Sequence, residues 1–177
     1  MHLDCSHDWN MLVGMTIFQK TRLRPTQLRT VAERRFDDAN ALRRTGDNAR
    51  ANGAMYLGGF VIECLLKAML LEKFGWLGST GSPEGRNEDD RRLWSLCYRS
   101  HDLSELLKHL PEVMEKLEQR GAGSGQPPRA EASRLAQSLK SVCSQWTIHA
   151  RYSPRSADID EARDFLDKVK DLKSCLR

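Results

Sequence analysis

The chain has 177 residues, of which 40% are hydrophobic and 29% are charged, and its formal net charge at pH 7 is +4. This length and composition suit one soluble globular domain with a substantial core. The most apolar stretch, residues 56–71, is interrupted by Glu63 and Lys67, so no membrane span is expected. No basic stretch precedes an apolar one at the N-terminus, so no signal peptide is expected. We therefore expect a cytoplasmic protein.

The five cysteines, at positions 5, 64, 97, 143 and 175, argue against a disulfide framework and against a zinc site. Their number is odd, and no two of them have C-x-x-C spacing. The five histidines do not supply ligands at the short paired spacings that a structural zinc site needs. We predict neither a metal nor a cofactor.

The first predicted helix follows Pro25, because apolar side chains recur along one of its faces. Residues 1–24 before it have no helical periodicity and are assigned to an N-terminal arm. Arg35 falls in the middle of the apolar stripe, where solvation does not explain it. Gly46 and Asp47 are expected to end the helix.

A second helix is predicted from about Asn48 to Phe74. It is apolar almost all round, which is typical of the buried central helix of a bundle. One narrow polar strip interrupts it, and the members of this strip are Tyr56, Gly59, Glu63 and Lys67.

The composition of residues 78–90 predicts a flexible loop. A short helix is expected over residues 91–98. The third main helix opens near Asp102, and Pro111 is expected to break or kink it.

A second loop is predicted over residues 121–129, followed by helix four over residues 130–148. Helix five starts near Asp158. We find no alternating strand pattern after residue 25. Residues 25–177 are therefore predicted to fold as an all-α antiparallel bundle of four to five main helices.

Positive charge is concentrated between Lys20 and Arg50, a segment with nine basic residues against four acidic ones. The net charge of this segment, +5, exceeds the net charge of the whole chain, +4. Such a bias suits a polyanionic partner, for example RNA or the phosphate of a nucleotide. The alternative is an ordinary solvated helix face.

Two segments resemble the first two helices of HEPN domains, the higher eukaryotes and prokaryotes nucleotide-binding family. They are residues 32–39 (AERRFDDA) and residues 54–68 (AMYLGGFVIECLLKA). The second has the pattern Tyr-Leu-x-Gly-aromatic-x-x-Glu-x-x-Leu-Lys-Ala. Residues 101–103 (HDL), at the start of a leucine-rich helix, and residues 151–152 (RY) are also similar to the family.

The resemblance covers residues 25–175 and implies a small helical bundle that is commonly dimeric. Members of the family bind nucleotides, act as metal-independent ribonucleases, or pair with a nucleotidyltransferase in toxin–antitoxin and defence systems. The ribonucleases carry an arginine, a polar residue and, a few positions on, a histidine. No histidine of this chain follows an arginine by four to seven residues. The nuclease motif of the family is therefore absent.

Glu63 and Lys67 stand four residues apart with the acid first, the favourable order for an ion pair on a helix. Together with Arg35 they predict one of two arrangements. The first is a buried charge network between the first two helices. The second is a phosphate site, in which Arg35 and Lys67 face the phosphate and Glu63 orients them or a sugar hydroxyl.

Three further positions are candidates for binding or catalysis. His101, at a helix start, is a candidate general base or phosphate contact, or else a partly exposed neighbour of the helix cap. His149 falls on the apolar face of helix four and is predicted to be a core histidine. Arg151 and Tyr152 suit a guanidinium and a stacking ring beside a base, and suit a structural lock after helix four equally well.

We predict a non-catalytic HEPN-type module, a homodimer, that binds a nucleotide, RNA or a partner nucleotidyltransferase. The residues assigned to nucleotide binding are Arg35, Tyr56, Glu63, Lys67, His101, Arg151 and Tyr152. One alternative is a metal-independent ribonuclease with a displaced active site built from Arg35, His101 and Arg151. The other is a purely structural interaction bundle.

Overall fold

The computed structural model describes residues 23–79, 83–121 and 128–177. Over these residues the chain forms eight α-helices and two 3-10 helices, and no strand. The α-helices are α1 (Pro25–Arg44), α2 (Ala51–Lys73), α3 (Trp76–Ser79), α4 (Glu88–Arg99), α5 (Leu103–Lys108), α6 (Glu112–Gly121), α7 (Pro128–Gln145) and α8 (Ile159–Leu176). The 3-10 helices are Asn48–Arg50, before α2, and Ile148–Tyr152, after α7.

The predicted all-α bundle is confirmed, and its four long helices are α1, α2, α7 and α8. The predicted N-terminal arm lies outside the described residues, except for its last two positions. The middle of the predicted loop over residues 121–129 lies outside them too.

Helix α2 lies at the centre of the bundle and packs against α1, α5, α8 and the turn at 148–152. Every residue from Val61 to Leu71 is buried. In the described part of the chain, the stretch Asn48–Lys73 is long and apolar enough to cross a membrane, but 78% of its apolar part is buried inside the bundle. The apolar composition of α2 is thus explained by burial on all sides.

Helices α1 and α2 form a hairpin with extensive packing between them. Ala32 and Ala39 of α1 have no exposed surface, and their small side chains let the two helices approach closely. Gly46 in the connecting turn has a φ of 68°, a conformation that glycine adopts without steric cost. The predicted end of the first helix is confirmed.

Helix α2 also approaches its other neighbours closely, at two consecutive glycines. A Cβ atom on Gly58 would lie less than 3.0 Å from Leu166 of α8, and one on Gly59 would lie less than 3.0 Å from the indole of Trp146. The indole N–H of Trp146 donates a hydrogen bond to the carbonyl of Tyr56, at 3.0 Å. The absence of side chains at these two positions therefore makes room for α8 and for the buried tryptophan.

The predicted loop over residues 78–90 is partly helical, which corrects the sequence prediction. Gly78 and Ser79 belong to α3, and α4 begins at Glu88. The side chain of Asn87 caps α4 by accepting a hydrogen bond from the backbone N–H of Asp90, at 2.8 Å. Acidic residues in the first turn of α4 suit the helix dipole. The same polar residues that suggested a loop by composition therefore start a helix.

Helix α7 ends at Gln145, whereas the sequence predicted that it continues to residue 148. Trp146 turns into the core, and the chain then forms the 3-10 helix at 148–152. His149 is exposed as a result. The prediction of a core histidine is wrong, because it assumed that the helical periodicity continues past Gln145.

Three further predicted boundaries, at Pro111, Asp102 and Asp158, are confirmed. Pro111 separates α5 from α6. Asp102 caps α5 by accepting hydrogen bonds from two backbone N–H groups. Asp158 caps α8 in a reciprocal arrangement with Glu161, in which each side chain accepts from the backbone of the other.

Candidate functional site

Glu63 and Lys67 form a buried ion pair on α2. The exposed surface is only 2% for Glu63 and 6% for Lys67, and Lys67 Nζ lies 2.8 Å from Glu63 Oε1. The ammonium of Lys67 also donates to the backbone carbonyl of Ser100, at 2.8 Å. A pair of this kind satisfies two charges that would be costly to bury alone.

His101 completes this group, which we call the charge network. Its Nδ1 lies 3.0 Å and 3.1 Å from the two carboxylate oxygens of Glu63. Its ring lies beside that of Phe60, with 6.2 Å between the centroids. The side chain is 36% exposed, so this imidazole connects the buried ion pair to the surface.

The backbone around His101 is held by the start of α5. Ser100 Oγ accepts a hydrogen bond from the N–H of Asp102, at 3.1 Å, and Asp102 then caps the helix. The carbonyl of Ser100 is bound to Lys67. The charge network therefore joins α2 to the junction between α4 and α5.

The geometry assigns a tautomer to the neutral imidazole. The ionised carboxylate of Glu63 can only accept hydrogen bonds, so Nδ1 of the neutral ring must carry the hydrogen and donate it. Nε2 is then the unprotonated nitrogen and can act as an acceptor. Over residues 23–79, 83–121 and 128–177, no hydrogen-bond partner is found for Nε2 of His101. An imidazole that is oriented by a carboxylate in this way can accept a proton from a bound hydroxyl, or donate a hydrogen bond once it is protonated.

Arg35 does not belong to the charge network, which corrects the sequence prediction. Its side chain is 42% exposed, and its Nη1 lies 3.3 Å from Asp38 Oδ2 on the same helix. A long side chain on an apolar face can extend to the surface while its methylene groups stay on the core. His101 therefore occupies the place beside Glu63 that was predicted for Arg35.

Tyr56, also assigned to the polar strip, takes part in an aromatic cluster. Its ring lies 6.0 Å from that of Phe60 and 6.1 Å from that of Trp146, measured between centroids. The cluster extends from the charge network toward the end of α7.

The basic segment from Lys20 to Arg50 is partly neutralised. Four of its basic residues have a carboxylate within 4.0 Å, and they are Arg29, Arg35, Arg43 and Arg50. The first two basic residues of the segment lie outside the described residues. The described part of the segment thus resembles an ordinary solvated helix face more than a continuous polyanion-binding surface.

A cleft of about 920 Å³ opens between the first turns of α2, the turn at 148–152 and the first half of α8. Tyr152 is 72% exposed and lines it, so that an aromatic ring borders a concave surface. His149, Arg155, Asp164 and Lys168 supply polar groups to its wall. The side chain of Arg151, predicted to bind beside Tyr152, lies outside what the structure describes.

Two asparagines that the sequence did not single out shape this cleft. Asn52 donates to the carbonyl of Arg155, at 2.8 Å, and accepts from the N–H of Ala157, at 2.7 Å. Asn48 accepts from the N–H of Ile159, at 2.9 Å. Through these hydrogen bonds, both side chains attach the segment before α8 to the start of α2. Their only sequence signal was two asparagines at i and i+4 next to a predicted helix start.

The six predicted nucleotide-binding residues whose side chains the structure describes thus fall into three places. Glu63, Lys67 and His101 form the charge network, with Tyr56 in the adjoining aromatic cluster. Tyr152 lies at the cleft. Arg35 lies on the outer part of α1.

Burial makes three of the cysteines, Cys64, Cys97 and Cys143, poor nucleophiles. It raises the pKa of the Cys64 thiol to about 12, an effect reinforced by the charge of Glu63. It raises the pKa of Cys97 to about 11 and that of Cys143 to about 12. Because the thiolate is the reactive form, these side chains are expected to be inert in the folded protein.

We expect that an alkylating reagent at pH 8 leaves Cys64, Cys97 and Cys143 unmodified in the native protein and modifies all three after unfolding in guanidinium. Peptide mass spectrometry with and without denaturant measures this. Modification of Cys64 or Cys97 in native buffer at the rate of the unfolded chain would contradict the burial that we describe.

Comparison with protein-family models, with curated proteins and with solved structures gives no match to this chain. The similarity of residues 25–175 to HEPN domains therefore remains a prediction based on the motifs. An all-α bundle hosts many unrelated functions, so function has to be argued from the site.

Proposed function

We propose that this chain is a non-catalytic module that binds a nucleotide, or a base of single-stranded RNA, in the cleft beside Tyr152. The observation that carries the proposal is a strongly exposed tyrosine ring that borders a cleft of about 920 Å³. A cleft of this size accommodates a small organic ligand. Exposed aromatic rings are the usual platforms on which nucleic-acid bases stack.

The charges around the cleft favour a nucleotide-sized ligand over a long polyanion. Arg155 and Lys168 are balanced by Glu161 and Asp164. Lys168 can contact one phosphate as a point charge, but the wall does not offer a continuous basic track. We therefore expect binding to depend chiefly on stacking, with a weak dependence on salt concentration.

The similarity to HEPN domains supports the same proposal, since members of that family bind nucleotides. It also supports a cytoplasmic homodimer that accompanies a nucleotidyltransferase in a toxin–antitoxin or defence system. In that setting the charge network has a structural role, which is to hold the start of α5 against α2.

Replacing Tyr152 by alanine is expected to weaken the binding of a labelled single-stranded RNA of mixed sequence by about 5- to 150-fold, because a stacked base contributes about 1–3 kcal/mol. Fluorescence anisotropy at several salt concentrations measures the dissociation constant. Met114→Ala is the matched control, because Met114 is a partly exposed apolar residue on α6, away from the cleft. Equal effects of the two substitutions, or no saturable binding by the unmodified protein, would contradict the proposal.

A second candidate function is that of a metal-independent ribonuclease with His101 as the general base. The observation in its favour is the hydrogen bond between Nδ1 of His101 and the carboxylate of Glu63. This contact orients the imidazole of His101, which is 36% exposed. The position of Arg35 argues against it, because the ion pair of this arginine is with Asp38 on its own helix.

We expect labelled RNA to remain intact after incubation with the purified protein in the presence of a chelator. Gel electrophoresis of the RNA measures this, with His101→Ala and His109→Ala tested in parallel. His109 is exposed at the other end of α5 and serves as the control. Cleavage that is lost with His101→Ala and kept with His109→Ala would replace the binding proposal by the ribonuclease.

A further inference from the structure

Asp164 is an exposed acid of α8 that lines the cleft. In the described part of the chain its carboxylate has neither a hydrogen bond nor an ion pair. Glu161, in the same wall, is occupied: its carboxylate binds Arg155 at 2.6 Å and the N–H of Asp158 at 3.1 Å. Asp164 therefore offers two acceptor oxygens to a ligand.

The nearest candidate partner on the same helix does not use this carboxylate. Lys168 follows Asp164 by four residues, the spacing at which an acid and a base commonly pair on a helix. Its Nζ lies instead 3.4 Å from Ser141 Oγ of α7. Both an acceptor and a cation are thus presented to the same cleft without being paired to each other.

A carboxylate can only accept hydrogen bonds, and it binds best where two parallel donors face it. Among the four RNA bases, only guanine carries two adjacent donor groups on its Watson–Crick edge, namely N1–H and the N2 amino group. Adenine, cytosine and uracil each place an acceptor beside a single donor there, and a carboxylate repels such an acceptor.

We infer that the cleft selects guanine nucleotides, with the Asp164 carboxylate accepting from N1–H and N2–H and the Tyr152 ring stacked on the base. This inference rests on the proposed function and adds the identity of the base. It requires no movement of the bundle, because Asp164 and Tyr152 already line the same cleft.

The test is calorimetric titration of the full chain with the 5′-monophosphates of guanosine, inosine, adenosine, cytidine and uridine. Guanosine monophosphate is expected to bind about tenfold or more tightly than the adenosine, cytidine and uridine nucleotides, as for other bidentate base contacts. Inosine monophosphate keeps N1–H and lacks the N2 amino group, so its affinity should lie between those of guanosine and adenosine monophosphates.

Asp164→Asn is expected to abolish the preference for guanine, because an amide offers one acceptor and one donor in place of two acceptors. Asp160→Asn is the matched control, since Asp160 is exposed one turn earlier on α8 and is paired with Arg163. Equal affinity for all the nucleotides, with binding still lost in Tyr152→Ala, would overturn the inference and leave the proposed function standing. If neither the nucleotides nor RNA bind, both fail.

Discussion

Replacing Glu63 by alanine is expected to lower the free energy of unfolding by about 3–5 kcal/mol. The substitution leaves the ammonium of Lys67 buried, with the carbonyl of Ser100 as its remaining hydrogen-bond partner. It also removes the acceptor that orients His101. An unpaired charge in a desolvated site costs far more than the loss of an exposed ion pair.

Chemical denaturation followed by circular dichroism measures this change, and Glu88→Ala provides the control. Glu88 pairs with Arg92 at the same four-residue spacing, but both side chains are largely exposed. We expect the control to cost no more than about 0.5 kcal/mol. If the two substitutions cost the same, the charge network contributes nothing beyond a surface ion pair.

A second large effect is expected from Gly59→Ala, which should cost about 3 kcal/mol, at the upper end of the usual range for overpacking. The added Cβ would lie less than 3.0 Å from three atoms of the Trp146 indole. An aromatic ring is rigid, and this one is also bound to the carbonyl of Tyr56, so it cannot move aside without losing its packing and its hydrogen bond. The higher helix propensity of alanine, about 1 kcal/mol, does not offset this clash.

Gly53→Ala, on the same helix, is the control for the gain in stability that alanine gives through its higher helix propensity. A Cβ there would meet only the end of the Leu42 side chain, at 3.3 Å, and leucine can adjust. We expect this variant to be as stable as the unmodified protein or slightly more stable. A Gly59→Ala variant with the thermal stability of Gly53→Ala would show that Trp146 does not pack against α2 as described.

The fold could be predicted from the sequence because its determinants are local. The periodicity of apolar residues, the turn at Gly46 and the capping residue Asp158 each act within a few positions of the helix that they define. Pro111 acts in the same way. Where the prediction failed, as at residue 148, the cause was a tertiary contact: Trp146 leaves the helical path in order to enter the core.

The site could be predicted only in part, for a related reason. The pairing of Glu63 with Lys67 follows from their spacing on one helix, but the contact with His101 joins residues 38 positions apart in the chain. The position of the Arg35 guanidinium was predicted wrongly, because helical periodicity gives the direction in which a side chain leaves the helix. It does not show whether the charged end of a long side chain stays buried or reaches the surface.

The cleft was not predicted from the sequence. It depends on hydrogen bonds between Asn52 and a segment more than 100 positions later, which no local pattern indicates.

The burial of α2 on all sides has a consequence for the synthesis of the protein. One of its principal partners, α8, is made about 100 residues later, which at about 5–20 residues per second corresponds to roughly 5–20 s of translation. During that interval only α1, then α5 and the 3-10 helix at 148–152, can pack against α2. The face that α8 covers, on a helix as apolar as a membrane span, stays exposed on the nascent chain. The period of greatest risk of aggregation, or of capture by chaperones and membrane-targeting factors, thus falls on the ribosome, before the bundle can close.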